Sequence, residues 1–263
     1  AATIEVSPGQ SIQAAVDAAS PGDTIVVKAG VYKEAVVVTK SDLTIQGQDA
    51  VLDAPTAAPP PGPCSDPENP SSVDGFCVSG VIDPTTFTVT TYVENVTITG
   101  FQVSDFTGSG IIAFGAMNAT FQSNRTVDNG EYGIAAFLSS GTKVLSNATD
   151  RSAEAGIYIG SSPEARALVD GNLSTDNGFG IFVRDALRGT IRNNRVTGNC
   201  VGVLFLADAP GPAGQMTVAK NTISRNSKAC PANEEEMQPP LSGVGVAILG
   251  AQGVTVKKNT ILA

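Results

Sequence analysis

The sequence predicts an all-β fold, a single-stranded parallel β-helix (a solenoid) of about nine or ten coils. A glycine followed by isoleucine or valine returns in steps of 23, 23, 24, 22 and 43 residues. Within each repeat, apolar residues alternate with the period of two that is typical of strands, and no segment shows a helical period. A unit of this length buries its apolar residues only by stacking on its neighbours, which favours a solenoid. The repeated dipeptides are Gly110-Ile111, Gly133-Ile134, Gly156-Ile157, Gly180-Ile181, Gly202-Val203 and Gly245-Val246.

Each repeat also contains an asparagine that follows a second β-rich segment. We expect these asparagines to adopt the tight left-handed bends between strands. Five Asn-X-Ser/Thr sequences begin at residues 95, 118, 124, 147 and 172. They coincide with the repeat, so we interpret them as turn and strand residues and not as glycan acceptors. The turn asparagines are Asn124, Asn147, Asn172, Asn194, Asn221 and Asn259.

The chain is predicted to form one domain, 1–263, with a cap and three loop insertions. Residues 1–23 are the predicted N-terminal cap, in which Ser11 to Ala19 has the pattern of a short amphipathic helix with Ser11 as its N-cap. Such a cap would cover the first coil, whose backbone is otherwise unpaired. The predicted loops are 54–80, which is rich in proline, 209–215, and 227–242, which carries the acidic run Glu234–Glu236.

Cysteine usage predicts two disulfides. The four cysteines are Cys64, Cys77, Cys200 and Cys230, and no Cys-X-X-Cys pair typical of zinc sites occurs. One bridge would close the proline-rich loop, and the other would hold the third loop beside a Gly-Val strand. Disulfides persist in oxidising compartments, so we expect a secreted, extracellular protein.

Composition excludes several classes of function. The sequence contains no histidine. A Ser-His-Asp triad, a Cys-His dyad, a histidine metal site and a histidine general base are therefore excluded. The net charge of −9 argues against binding to nucleic acid or to an anionic membrane. No apolar run reaches the ~18 residues that a membrane span requires.

The N-terminal segment resembles a known family. Residues 11–27, SIQAAVDAASPGDTIVV, followed by Ala29-Gly30-Val31-Tyr32, are similar to the opening of right-handed β-helix proteins of the pectate-lyase-like superfamily. The asparagine and Gly-Ile repeats resemble the same group. The resemblance implies a right-handed solenoid. It leaves function open, because that superfamily includes lyases, hydrolases, epimerases, phage spikes and non-catalytic repeats.

Alternation along the Gly-Ile strand predicts an apolar stripe on the outer surface. The first and third residues after each glycine should face inward, so the second and fourth should face outward. Three explanations remain open: the loops cover the stripe, a ligand binds there, or two copies associate through it to form a homo-oligomer. The outward residues include Ile112, Phe114, Phe137, Tyr158, Phe182, Arg184, Leu204 and Leu206.

Charged groups flank this stripe. Glu131 and Glu154 precede their glycines by two residues and should be neighbours on adjacent coils, whereas Arg184, Asp185 and Asp208 lie at the opposite end of the strands. Paired carboxylates suit acid–base chemistry or Ca²⁺ binding. In the resembled lyases, a Lys or Arg base acts with Ca²⁺. The alternative is a solvated rim with pairing between coils, such as Asp128 with Arg151.

These residues support three hypotheses about function. The first is a secreted polysaccharide lyase that binds an acidic glycan across the outward face. Its predicted catalytic residues are Arg184, Tyr158, Asp185 and Glu154, and its predicted substrate-binding residues are Phe114, Phe137, Phe182, Leu204, Leu206, Glu131 and Asp208. The second is a non-catalytic binding or self-assembly module that uses the apolar stripe. The third is an enzyme that acts on a hydrophobic small molecule. The metal, if any, is not specified by the sequence; Ca²⁺ is the candidate that the resemblance implies.

Overall fold

The chain folds as a right-handed parallel β-helix of about nine turns, which confirms the predicted fold class. The structure is a computed structural model that describes residues 1–65, 69–208, 211–232 and 239–262. The acidic run Glu234–Glu236 lies outside the described residues. Within the described part of the chain, no helix is long and apolar enough to cross a lipid bilayer.

The elements follow one another around the coils. The helix is α1 (Ile12–Ala18). The strands, in chain order, are β1 (Thr3–Val6), β2 (Thr24–Val27), β3 (Gly30–Lys33), β4 (Val36–Val38), β5 (Thr44–Asp53), β6 (Phe76–Ser79), β7 (Val81–Asp83), β8 (Thr88–Thr91), β9 (Val93–Glu94), β10 (Thr97–Ser104), β11 (Ile111–Phe114), β12 (Ala116–Met117), β13 (Thr120–Gln122), β14 (Arg125–Val127), β15 (Tyr132–Phe137), β16 (Lys143–Leu145), β17 (Ala148–Asp150), β18 (Ala155–Ser162), β19 (Ala167–Asp170), β20 (Leu173–Thr175), β21 (Phe179–Arg192), β22 (Arg195–Thr197), β23 (Val201–Leu206), β24 (Gly214–Ala219), β25 (Thr222–Ser224), β26 (Val244–Leu249), β27 (Thr255–Lys257) and β28 (Thr260–Leu262).

Three parallel sheets run along the solenoid. Sheet I contains the Gly-Ile strands: β4, β6, β11, β15, β18, the first half of β21, β23 and β26. Sheet II contains β1, β2, the first halves of β5 and β10, β13, β16, β19, the second half of β21, β24 and β27. Sheet III contains β3, the second halves of β5 and β10, β14, β17, β20, β22, β25 and β28.

The repeat sets the register between coils. Ile134 pairs with Ile111 on one side and with Ile157 on the other, and the same alignment continues through the later Gly-Ile and Gly-Val strands. Strands paired in this way lie about 4.8 Å apart. Residues some two dozen positions apart therefore stand side by side, as the repeat predicted.

A buried ladder of asparagines lines the turn between sheets II and III. The side-chain oxygen of Asn147 accepts the backbone N–H of Asn124 at 2.9 Å, and Asn147 Nδ2 donates to the carbonyl of Phe121 at 2.9 Å. The same pattern joins all six predicted turn asparagines. Our expectation that they adopt the left-handed bends is wrong: the residue before each one has the positive φ, such as Ser123 (φ 54) and Ser146 (φ 53). The asparagine instead satisfies the backbone polar groups that the bend leaves buried.

A second ladder lies between sheets III and I, and a serine interrupts it. Its asparagines are Asn129, Asn177, Asn199 and Asn226, and Ser152 occupies the intervening coil. Within the described residues, the buried Ser152 Oγ has no hydrogen-bond partner. Serine is too short to reach the preceding coil.

Replacing Ser152 with asparagine should stabilise the fold. An amide at this position would join the two parts of the ladder, and a net gain of about 1 kcal/mol is expected for the restored hydrogen bonds. Urea unfolding of the Ser152→Asn protein measures the change, with Ser152→Ala as the matched control. A destabilised Ser152→Asn variant would contradict this interpretation of the ladder.

The N-terminal cap forms as predicted and has additional support. Ser11 Oγ accepts the backbone N–H of Ala14 at 3.1 Å, as expected for an N-cap. Glu34, which the sequence analysis did not single out, accepts the N–H groups of Ile12 and Gln13 at 2.7 and 3.1 Å. The predicted cap region, 1–23, also contains β1, which pairs with β2 and forms the first rung.

Both predicted disulfides are present, and strands occupy the ends of two predicted loops: β6 lies within 54–80, and β24 begins within 209–215. Cys64 pairs with Cys77, and Cys200 pairs with Cys230. The interval 54–80 assigned to a loop ends in strand β6, where Cys77 pairs with Ile112 of the next coil. The antiparallel hairpin β7–β8 follows and was not predicted. The prolines between residues 55 and 70 led us to predict a loop for the whole interval 54–80, so the strand at its end was missed.

Candidate functional site

The outward surface of sheet I carries a cluster of aromatic rings, which we call the aromatic face. Tyr158 lies at its centre: its ring stacks on Tyr132 with the centroids 4.4 Å apart and lies 4.6 Å from the Phe137 centroid. Phe182 meets Tyr158 edge to face at 5.2 Å. The members of the aromatic face are Phe114, Tyr132, Phe137, Tyr158, Phe179 and Phe182.

Gly160 makes room for the central ring. It occupies the fourth position after its glycine, where neighbouring coils carry Phe137 and Arg184. A Cβ atom at Gly160 would lie 2.2 Å from the Tyr158 ring and hydroxyl. The absent side chain therefore lets the Tyr158 ring lie across the strand.

Most of this surface is buried, in contrast to the exposed stripe expected from alternation. The second-position side chains Ile112, Tyr158, Phe182 and Leu204 are 8%, 4%, 7% and 5% exposed. They form an apolar cluster separate from the core inside the solenoid. The fourth-position residues Phe114, Phe137 and Leu206 stay half-buried, so they present the accessible part of the apolar surface.

Tyr132 was missed because strict alternation assigns it to the interior. A Cβ at the next residue, Gly133, would point inward and lie 2.5 Å from Thr126 Oγ1. Ile134 is also fully buried in the interior. Two successive inward positions reverse the alternation, so Tyr132 faces outward. The glycine that marks the repeat was the signal for this reversal.

The acidic end of the face brings together the predicted glutamates. The backbone N–H of Glu154 donates to the carbonyl of Glu131 at 2.9 Å, so the two residues are neighbours. Glu131 accepts a hydrogen bond from Ser72 Oγ at 2.8 Å, and the Tyr132 hydroxyl bonds to the Glu154 carboxylate. Burial and the charge of Glu154 raise the pKa of Tyr132 well above its ordinary value. Tyr132 is therefore a neutral hydrogen-bond donor at physiological pH.

The opposite end brings together Arg184, Asp185 and Asp208. Arg184 Nη2 lies 2.6 Å from Asp208 Oδ2. Asp185 is buried, and its carboxylate accepts the backbone N–H of Asp208 at 2.7 Å. Burial lowers the pKa of Arg184, but the hydrogen bond to Asp208 and the nearby acidic groups outweigh it, so the net shift is upward.

The charged rim between coils also forms as predicted. Arg151 binds Asp128 through Nε and Nη2, at 2.6 and 2.8 Å. This hydrogen-bonded pairing lowers the pKa of Asp128. The pair lies on the turn that follows sheet III, so these charges stabilise the stacking of coils and lie apart from the aromatic face.

Described parts of two disulfide-anchored loops pack against the apolar cluster of sheet I. Cys64 packs against the apolar cluster beside Cys77 of β6, and Leu241 packs against it next to the strand that follows Cys200. Strands β11, β15, β18 and β21 lie between these contacts. The half-buried aromatic rings thus occupy the middle of sheet I, between the loops.

This arrangement suits binding more clearly than proton abstraction. An arginine side chain is already protonated at physiological pH and the net pKa shift of Arg184 is upward, whereas a general base must be deprotonated to accept a proton. As a cation whose other N–H groups are not used by Asp208, it can bind a carboxylate or a hydroxyl group of a ligand. Within the described ranges, no group of three or more acidic or cysteine side chains is placed to hold a metal ion.

Several solved structures share this fold. Similar structures are XylC with xylose (11% identity, TM-score 0.58), the family 28 exopolygalacturonase of Yersinia enterocolitica (16%, 0.58) and pectate lyase Pel9A (15%, 0.57). Each match covers 98% of this chain, and 69%, 66% and 79% of the respective structure. At these identities the likeness shows the fold alone. No curated protein sequence matches significantly.

A family profile matches residues 71–239 and is described as periplasmic copper-binding protein (NosD). The residues of this chain do not fit copper. Copper sites use imidazole, thiolate and thioether ligands. The sequence has no histidine, and all four cysteines form disulfides. Of the methionines, Met216 is buried in the interior of the solenoid, and Met117 is half-buried on the short strand β12. Met237 lies outside the described residues.

The family match nevertheless spans well over half of the chain, from the loop before β6 to the loop before β26. It covers the coils that carry the asparagine ladders and the aromatic face. The asparagine turns and Gly-Ile strands repeat throughout the same interval. By this evidence, the protein belongs to the NosD family of β-helix proteins.

Proposed function

We propose that this protein binds a carbohydrate chain across the aromatic face. The single observation that supports this most directly is the half-buried group of Phe114, Tyr132 and Phe137 on sheet I, with hydrogen-bonding charges at both ends of the strands. Aromatic rings offer apolar area to a sugar ring, and the flanking polar groups fix its orientation. The fold is shared with an exopolygalacturonase and a pectate lyase.

We propose that the ligand is an acidic glycan and that the protein binds it in the periplasm or outside the cell. Arg184 would hold a carboxylate of the ligand in exchange for part of its contact with Asp208, and Tyr132 and Glu154 would bind hydroxyl groups. The family is named for a periplasmic protein, and two disulfides fit an oxidising compartment. Both support a periplasmic or extracellular location.

Polysaccharide-lyase activity is tested separately from binding. Elimination needs a base at the reacting carbon, and the raised pKa of Arg184 disfavours that role. Release of unsaturated uronates from polygalacturonate or alginate, with and without Ca²⁺, would establish a lyase. Binding without such products would make the protein a non-catalytic module.

The Phe137→Ala variant should bind glycan about tenfold more weakly, which corresponds to ~1.4 kcal/mol. The phenyl ring is half-buried and contacts Tyr132 and Tyr158, so its loss removes accessible apolar area. Calorimetry with polygalacturonate, alginate and xylan gives the dissociation constants. Phe87→Ala is the matched control, since Phe87 is 63% exposed in the turn of the hairpin β7–β8.

An unchanged dissociation constant for Phe137→Ala would refute the aromatic face as the binding site. Equal weakening by Phe87→Ala would also refute it. Circular dichroism of both variants establishes that the β-helix is intact. Light scattering of the same samples tests the alternative of self-association through this face.

A further inference from the structure

A second concave surface lies on the turn between sheets II and III. It is an open groove of about 620 Å³. The residues at the left-handed turn position form its floor and are small: Gly100, Ser123, Ser146 and Gly171, with φ of 80°, 54°, 53° and 71°. Two sheets meet at this bend, so small side chains leave a channel along successive coils. The groove shares no residue with the aromatic face.

Basic residues continue this row of turn positions beyond the groove. Lys220 and Lys258 take the same left-handed position, with φ of 58° and 55°. The ladder asparagines that follow them are hydrogen bonded at 2.9 Å, so the two lysines lie on adjacent coils, about 4.8 Å apart along the solenoid. Arg195 and Lys257 lie on the strands that flank this turn.

These four cations lie on three successive coils of a chain with a net charge of −9. All four are exposed, and none makes an ion pair with a described residue. The turn segments 193–195, 219–222 and 257–260 contain no Asp or Glu. By contrast, Arg151, Arg184 and Arg188 each bind a carboxylate. The uncompensated positive charge attracts anions to this part of the surface.

The two lysines also occupy an unfavourable backbone position. A left-handed φ suits glycine and asparagine, which fill this position on other coils, as at Gly171 and Asn193. Lysine gains nothing locally from this conformation.

We propose that the basic end of this turn, on the coils beyond the groove, is a second binding surface for an acidic polysaccharide, in which Lys220, Lys258 and Arg195 hold the anionic groups. Cations repeated from coil to coil suit a polymer with regularly spaced carboxylates or sulfates. Single-stranded nucleic acid is the less favoured ligand, because it binds by stacking its bases on aromatic rings. The turn segments that carry the cations contain no aromatic residue.

The test compares two double variants with the same change of charge. Lys220→Asn/Lys258→Asn should weaken binding of polygalacturonate at least tenfold and reduce the dependence of binding on salt, because two counterion-releasing contacts are lost. Asparagine is favoured at a left-handed position, so the thermal midpoint should stay equal or rise. Lys28→Asn/Lys33→Asn, near the N-terminus, is the control and should stay within twofold of the parent.

Three results would overturn the proposal: full binding by Lys220→Asn/Lys258→Asn, an equal loss in the control, or equal binding of fully methyl-esterified polygalacturonate. Single-stranded DNA bound as tightly as polygalacturonate would also overturn the assignment to a glycan. This surface does not depend on the proposed aromatic site. Repeating the titration in the Phe137→Ala background separates them, because the Lys220→Asn/Lys258→Asn change should weaken binding by the same factor with or without the Phe137 ring.

Discussion

The Asn147→Ala protein should be less stable than the parent by about 2–5 kcal/mol. The substitution removes the acceptor of the Asn124 N–H and the donor to the Phe121 carbonyl, and both of these backbone groups are buried. A buried polar group without a partner costs about 1–3 kcal/mol, and two such groups are created. Asn147 also lies in the middle of the ladder, far from the end coils that can fray, so water cannot replace the lost hydrogen bonds.

Urea unfolding measures this loss, and a thermal scan should show a midpoint lower by about 2–4 °C for each kcal/mol. Gln122→Ala is the control, because Gln122 is exposed on the neighbouring strand β13 and should change stability by less than about 0.5 kcal/mol. A loss for Asn147→Ala that is no larger than for this control would mean that the ladder is not a determinant of stability.

The Gly160→Ala protein should lose about 1–3 kcal/mol of stability and at least tenfold in glycan affinity. Its new methyl group would lie 2.2 Å from the Tyr158 ring, so the ring must leave its place between Tyr132 and Phe137. A displaced ring disrupts the whole aromatic face, since Tyr158 is its central member. The effect on binding should therefore exceed the effect of removing one peripheral ring.

A double-mutant cycle distinguishes this clash from a general cost of alanine in the strand. In a Tyr158→Ala background, the Gly160→Ala substitution has no ring to displace and should cost less than about 0.5 kcal/mol. Unfolding free energies of the four proteins give the coupling. Additive effects would show that Gly160 does not act by making room for Tyr158.

Much of the candidate site followed from the period of the repeat, and the exceptions have specific causes. Three pairs depend only on which residues are one coil apart. They are Glu131 with Glu154, Arg184 with Asp208, and Asp128 with Arg151. Tyr132 escaped prediction because Gly133 reverses the alternation. The burial of Tyr158 depends on the lack of a side chain at Gly160. No periodicity in the sequence indicates that a glycine makes room for a ring two residues away.

By itself, the sequence determined the solenoid, its handedness through the family resemblance, the register of its coils and both disulfides. These properties arise from periodicity and from spacing along the chain, which a linear sequence records directly. The tertiary structure alone decided which side chains are accessible to solvent. It also decided which side chains hydrogen bond to the buried backbone groups at the bends between sheets II and III, and where cations without an ion pair lie close together. Such properties depend on the packing of rings, loops and charges from several coils in three dimensions, and no single repeat contains that information.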